Sequence, residues 1–135
     1  MLDTNICIYL MKNQPAEVAA RFSACFVGEV VISAITLAEL ECGVQCSGPQ
    51  RDRNRRALDA FLEEVPVVAF EGAAARAYGP VRLATLLRKR DALDKLIAAH
   101  ATSLQVTLIT NNEADFLEYP NLVVENWVAG SSTNT

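Results

Sequence analysis

Four of the sixteen acidic residues stand where a solvated charge fits poorly. Asp3 directly follows an apolar stub, Met1-Leu2. Glu39 lies in the apolar run Ala34-Ile35-Thr36-Leu37-Ala38-Glu39-Leu40. Asp94 opens the apolar segment Leu93-Asp94-Lys95-Leu96-Ile97-Ala98-Ala99-His100-Ala101, and Asp115 comes shortly after Leu108-Ile109, through Thr110-Asn111-Asn112. Carboxylates brought together repel, and each costs several kcal/mol if desolvated without a partner. A divalent cation resolves both problems. Magnesium and manganese are hard ions that prefer oxygen ligands, and no cluster of histidine or thiol side chains competes here. A carboxylate cage that leaves metal positions open suits phosphodiester hydrolysis. Each acid also fits a plain structural role: Asp3 as a helix cap, Asp94 at a helix amino terminus, Asp115 on an outer helix face.

The elements that must position these acids read as alternating helices and short apolar strands. Pro15 and Glu17 open a helix with Val18, Phe22, Cys25 and Phe26 on its apolar face. Val30-Val31-Ile32 reads as a strand, followed by a helix carrying Leu37, Leu40 and Val44. After a break at Ser47-Gly48-Pro49, a helix presents Leu58, Phe61, Leu62 and Val65, and a strand spans Val67, Val68 and Phe70. Helical sequence fills Ala73 to Leu87, with a kink or fresh start expected at Gly79-Pro80 because proline lacks an amide hydrogen. A further helix runs from Leu93 to Ser103, a strand covers Val106 to Ile109, and a short helix covers Glu113 to Leu117. The last strand is Leu122 to Val124, before Trp127. Strands of this kind belong to a parallel sheet covered on both faces. The expected fold is therefore α/β: a three-layer sandwich with a central, mostly parallel sheet of about four to five short strands. Sites in such sheets lie beyond the carboxyl ends of the strands, which is where Asp3, Glu39 and Asp115 would gather.

The chain has 135 residues, 51% hydrophobic and 21% charged, with a formal net charge of −4. That balance is globular and excludes a disordered or fibrous chain. It also argues against a protein that coats nucleic acid nonspecifically, though not against a local basic patch. No apolar run reaches the ~18 residues of a membrane span, and the start lacks a secretory pattern, so no membrane association is expected and the cytoplasm is the expected location. Cys7, Cys25, Cys42 and Cys46 form no paired zinc motif and read as free thiols, two or three of them in the core. One domain is expected over 1–128, with 129–135 as a flexible tail.

Taken together, these segments resemble the PIN-domain ribonucleases of the VapC toxin type. Leu2-Asp3-Thr4-Asn5-Ile6 is similar to their opening motif, and Ser33 to Leu40 to their second. Leu93 to Ala101 is similar to the third, and Leu108-Ile109-Thr110-Asn111-Asn112 with Asp115-Phe116 to the fourth. Val124-Glu125-Asn126-Trp127 also resembles this branch, so the likeness runs from Met1 to Val128. It implies an endoribonuclease dependent on Mg²⁺ or Mn²⁺, the toxin of a toxin–antitoxin pair acting on structured RNA such as transfer RNA. A VapB-like antitoxin is the implied partner, in a homodimer or hetero-oligomer. Asp3, Glu39, Asp94 and Asp115 would be catalytic, with Asp3, Asp94 and Glu39 holding metal. Thr4, Asn5, Thr110 and Asn112 would support them. The fourth position is open between Asn112 and Asp115. The compact segment Leu87-Arg88-Lys89-Arg90-Asp91 departs from relatives with a Gly/Pro-rich loop, and Asp91 then reads as the helix cap. Only two residues precede Asp3, so a start further upstream is expected. Another metal nuclease, on DNA or in RNA maturation, and a non-catalytic binding module are the competing readings.

Arg88, Lys89 and Arg90, with Arg82 and Lys95, are placed to hold phosphates near Asp94. Arg51, Arg53, Arg55 and Arg56 read as solvated surface. His100 lies off the face of Asp94 and reads as structural, while Tyr9, Tyr78 and Trp127 fit base stacking or packing equally.

Overall fold

Backbone hydrogen bonds of the first three residues hold the sheet together. The computed structural model describes residues 1–88 and 91–128. The Leu2 amide donates to the Val31 carbonyl at 3.0 Å, whereas the Asp3 amide donates to the Ile109 carbonyl at 2.9 Å on the other side. Strand β1 (Ile32–Ser33) pairs in parallel with β2 (Val67–Val68), and β3 (Leu108–Ile109) with β4 (Val124–Glu125). Leu2 bridges Ile109, also in parallel. The order across the sheet is thus β2, β1, the amino-terminal segment, β3, β4. This is the parallel sheet of short strands read from the sequence.

Successive residues of a strand point to opposite faces. Accordingly, Leu2, Ile32 and Ile109 enter one apolar cluster, while Met1, Val31 and Leu108 join a second. Helices α1 (Thr4–Lys12), α2 (Ala16–Ser23), α3 (Ala34–Gln45) and α4 (Arg51–Glu64) cover the first cluster with Ile6, Val18, Leu40, Leu58 and Phe61. Helices α5 (Gly72–Ala84) and α6 (Ala92–Leu104) pack on each other and cover the second with Val81, Ile97 and Ala98. Two clusters on two faces make the expected three-layer sandwich. No helix among the described residues is long and apolar enough to cross a membrane.

Local expectations fail in four places. Helix α5 runs through Pro80 without a fresh start. The residue before a proline normally avoids helical angles because its Cβ meets the ring, and Gly79 has no Cβ to offer. Helix α2 stops at Ser23, so Phe26 is 82% exposed instead of joining the core. Helix α5 stops at Ala84, short of Leu87, and the last strand begins at Val124 rather than Leu122, whereas the short helix expected from Glu113 forms as a 3₁₀ helix over Glu113–Phe116. The tail 129–135 lies outside the described residues.

Leu2 is fully buried between both strand pairs, so Leu2→Ala should cost about 2–5 kcal/mol through lost transfer energy and a cavity. Leu87, at 98% exposure, should tolerate the same change within about 0.5 kcal/mol. Urea unfolding followed by the single tryptophan, Trp127, measures both.

Candidate active site

The carboxyl end of the sheet gathers the acids because of chain direction. Asp3 leaves the central segment there, and α1 and α3 start there. Helix α6 runs back toward the start of β3, which brings its first turn, with Asp94, to the same end. Asp3 is 6% exposed. Its Oδ1 accepts from the Ile6 amide at 3.0 Å and so caps α1. The Thr110 side chain also hydrogen-bonds this carboxyl. Burial pushes the Asp3 pKa up; the hydrogen bonds from Thr110 and the Ile6 amide work against it, and the charge of Glu39 adds to it. Capping and a site role are therefore compatible in one side chain.

Asp94 is pushed up to about 6, first by burial and then by the charges of Asp91, Glu39, Asp3 and Asp115. The other three expected site acids therefore lie within electrostatic reach of Asp94. Thr4 donates its hydroxyl to Glu39 rather than to Asp3, so its support goes to the second acid. The Asn5 side chain is exposed, and only its backbone amide reaches Asp3. Thr110 is fully buried, and its oxygen also accepts the Asn112 amide at 3.0 Å, which fixes the turn after β3. Asn112 and Asp115 are both exposed.

The basic residues are arranged differently from the sequence reading. Arg88 donates to the Asp115 carbonyl at 2.6 Å and to the Asp91 carboxylate at 2.8 Å, and its guanidinium lies 5.9 Å from the Tyr119 ring. Asp91 holds the cap position of α6 at φ 65° but makes no side-chain capping bond, because its carboxylate faces Arg88. Lys95 is 2% exposed and donates to the Arg88 carbonyl. These bonds thus tie Arg88 to the start of α6 and to the turn that bears Asp115. They are not free cations. Arg82 is half-buried and donates to the Thr85 carbonyl at 3.4 Å. Lys89 and Arg90 lie outside the described residues. Arg55 pairs with Glu41 and Asp59, while Arg51, Arg53 and Arg56 are exposed, as read.

His100 is structural. It is 1% exposed, its Nδ1 lies 2.8 Å from the Ser33 hydroxyl, and Phe70 meets it edge-on. Sequence reasoning missed Tyr119, a buried ring that closes the Arg88 brace. It also missed the cleft of about 500 Å³ between α1, α3 and α4, bounded by Ile8, Met11, Glu39, Leu40, Val44 and Leu58. Neither leaves a signature in residue spacing.

The donor set suits a hard divalent cation by its chemistry. Glu39 raises the pKa of both Asp3 and Asp94, and Asp3 also raises that of Asp94; a cation would relieve that repulsion. The neighbouring thiol, Cys7, is pushed well above its ordinary pKa by burial and by Asp3, and so stays protonated. Among the described residues, no group of three His, Cys, Asp or Glu side chains is drawn tightly enough to hold an ion as it stands.

A PIN-domain family profile matches residues 1–122. The chain is 38% identical over 129 residues to the tRNA(fMet)-specific endonuclease VapC of Shigella flexneri, covering 94% of this chain and 96% of that protein. It is 36% identical to ribonuclease VapC2 of Rickettsia felis, over 94% of this chain and 96% of that one. Among solved structures, VapBC2 of Rickettsia felis bound to a DNA fragment from its promoter superposes with a TM-score of 0.85 at 34% identity, covering 95% of this chain and 98% of that one.

A carboxyl raised from 3.8 to about 6 keeps its proton in the fold over a range where the unfolded chain has lost it. That stabilisation is complete below 3.8 and is lost as pH rises through about 6. In chelator near neutral pH, Asp94→Asn should therefore stabilise the protein, on the order of 1 kcal/mol once solvent access is allowed for. The gain should fade toward about pH 4. Urea unfolding across this range checks it, and an unchanged pH profile in the variant would contradict the arrangement.

Proposed function

The chain belongs to the PIN-domain family, and from that premise we propose that it is a metal-dependent endoribonuclease, the toxin of a toxin–antitoxin pair. One observation carries the reading. The charges of Asp3, Glu39 and Asp115 all reach Asp94 at the carboxyl end of a parallel sheet, in a chain whose relatives are named as ribonucleases. Asp3, Glu39 and Asp94 would hold Mg²⁺ or Mn²⁺. When bound, the ion supplies an acidic water and neutralises charge on the phosphate oxygens.

The chain's own residues do the rest. Thr110 and the first turn of α1 hold Asp3 in one orientation. Thr4 holds Glu39, a candidate to take a proton from the attacking water. Asp115 is favoured over Asn112 as the fourth acid, because its charge is felt at Asp94. Arg82, with Lys89 and Arg90, would meet the RNA backbone. Transfer RNA is the proposed substrate class, by analogy with the Shigella flexneri relative. A VapB-like antitoxin is the proposed partner, by analogy with the Rickettsia felis complex, in a homodimeric or hetero-oligomeric assembly in the cytoplasm. The nuclease unit is proposed to span 1–128.

Cleavage of bulk transfer RNA should require Mg²⁺ or Mn²⁺ and stop in chelator. Asp3→Asn and Asp94→Asn should each lower turnover by about 100-fold or more with the fold intact by circular dichroism. Sequencing of RNA ends in cells expressing wild type and Asp3→Asn identifies the substrate. Equal cleavage by both proteins would refute the reading.

A second outcome concerns the brace. Arg88→Ala should lower kcat more than it raises KM and leave the salt dependence of binding unchanged, because Arg88 is spent on Asp91 and Asp115. A variant that loses only affinity, with a shallower salt slope, would return Arg88 to the RNA.

A further inference from the structure

Two thiols at the carboxyl end of α3, Cys42 in its last turns and Cys46 as its C-cap residue, take no part in the acid cluster. Cys42 and Cys46 are both exposed, and their sulfurs lie 3.9 Å apart. The Cys46 amide donates to the Cys42 carbonyl at 3.0 Å, so the helical turn between them is intact. Residues four apart on a helix have Cβ atoms about 5–6 Å apart, whereas a disulfide needs about 3.5–4.5 Å. The helix therefore presents a dithiol and resists closing it. Cys7 is buried, and Cys25 donates to the Arg21 carbonyl, so neither shares this arrangement.

Facing thiols on successive turns form a chelate. Zinc would want four ligands, and no third His, Cys, Asp or Glu completes a group among the described residues. Soft monovalent copper accepts thiolates readily and suits a site with few ligands. We propose that Cys42 and Cys46 form a two-thiolate binding site for a soft monovalent cation of the copper(I) class. Binding releases both thiol protons: Cu⁺ plus two thiols gives the bis-thiolate copper anion and two H⁺, with no change of oxidation state. Glu39, Cys42 and Cys46 follow one another at i, i+3 and i+7, on one stripe of α3. Gly43 and Val44, between the thiols in sequence, line the 500 Å³ cleft. A loaded site would thus carry an anion on the same stripe as Glu39, which itself lines that cleft. The proposal stands apart from the nuclease reading.

The test titrates reduced, full-length protein with copper(I) under anaerobic conditions against a chromophoric copper(I) chelator. One equivalent per chain should be withdrawn from the chelator, and affinity should rise with pH as two protons are released. Cys42→Ser and Cys46→Ser, at exposed positions, should each weaken binding by about 100-fold or more, as loss of one of two chelating ligands requires. Cys25→Ser should bind like wild type. Circular dichroism confirms that each variant is folded. Sedimentation should show no copper-dependent dimer, since both ligands come from one helix. Wild-type affinity in either Cys42→Ser or Cys46→Ser overturns the proposal. So does equal loss in Cys25→Ser, or a dimer formed only with copper.

Discussion

A carboxylate buried at the end of the central strand segment is the constraint around which the molecule is arranged. Asp3 is nearly inaccessible, and an ionised group there needs donors from every side. Helix α1 supplies one through the Ile6 amide, and Thr110 supplies another from the far side of β3. To put Thr110 there, Ile109 must pair with the amino-terminal segment, which it does through two hydrogen bonds. The order of the sheet and the location of the acids are consequences of the same few backbone contacts.

A second layer of support holds the outer acids. Glu39 is tied to α1 by Thr4, so α1 and α3 share one carboxylate. His100 of α6 reaches the Ser33 hydroxyl, and Ser33 in turn caps α3 through the Ile35 amide. Helices on opposite faces of the sheet are therefore joined through one buried polar chain. Partly satisfied polar groups would be costly at such depth, and these satisfy one another. The Arg88 brace joins Asp91 at the start of α6 to the turn at Asp115 in a similar way.

The fold was legible because its signals are local and periodic. Val30 to Ile32 and Leu108 to Ile109 are continuous apolar runs, and Asp3, Glu39 and Asp94 interrupt apolar stretches that otherwise explain themselves. The partners of each side chain were not legible. Nothing in Thr4-Asn5 says that the threonine serves Glu39 rather than Asp3. Nothing in Arg88-Lys89-Arg90-Asp91 distinguishes a phosphate-binding run from an arginine folded onto Asp91, Asp115 and Tyr119. Those choices depend on tertiary neighbours far away in sequence. Pro80 misled for a related reason, since its effect on the helix depends on whether the preceding residue carries a Cβ.

The pairing of Leu2 and Asp3 with Ile109 also orders events during synthesis. Closing a contact between residues this far apart in sequence costs more chain entropy than forming the local helices. A nascent chain that has not yet released Ile109 and Thr110 from the ribosome has Asp3 without the strand beside it or the hydroxyl above it. It also has no α6 seated on a finished sheet. Translation products that end before Ile109 would carry Asp3, Glu39 and Asp94 and still lack the sheet order that brings them to one end.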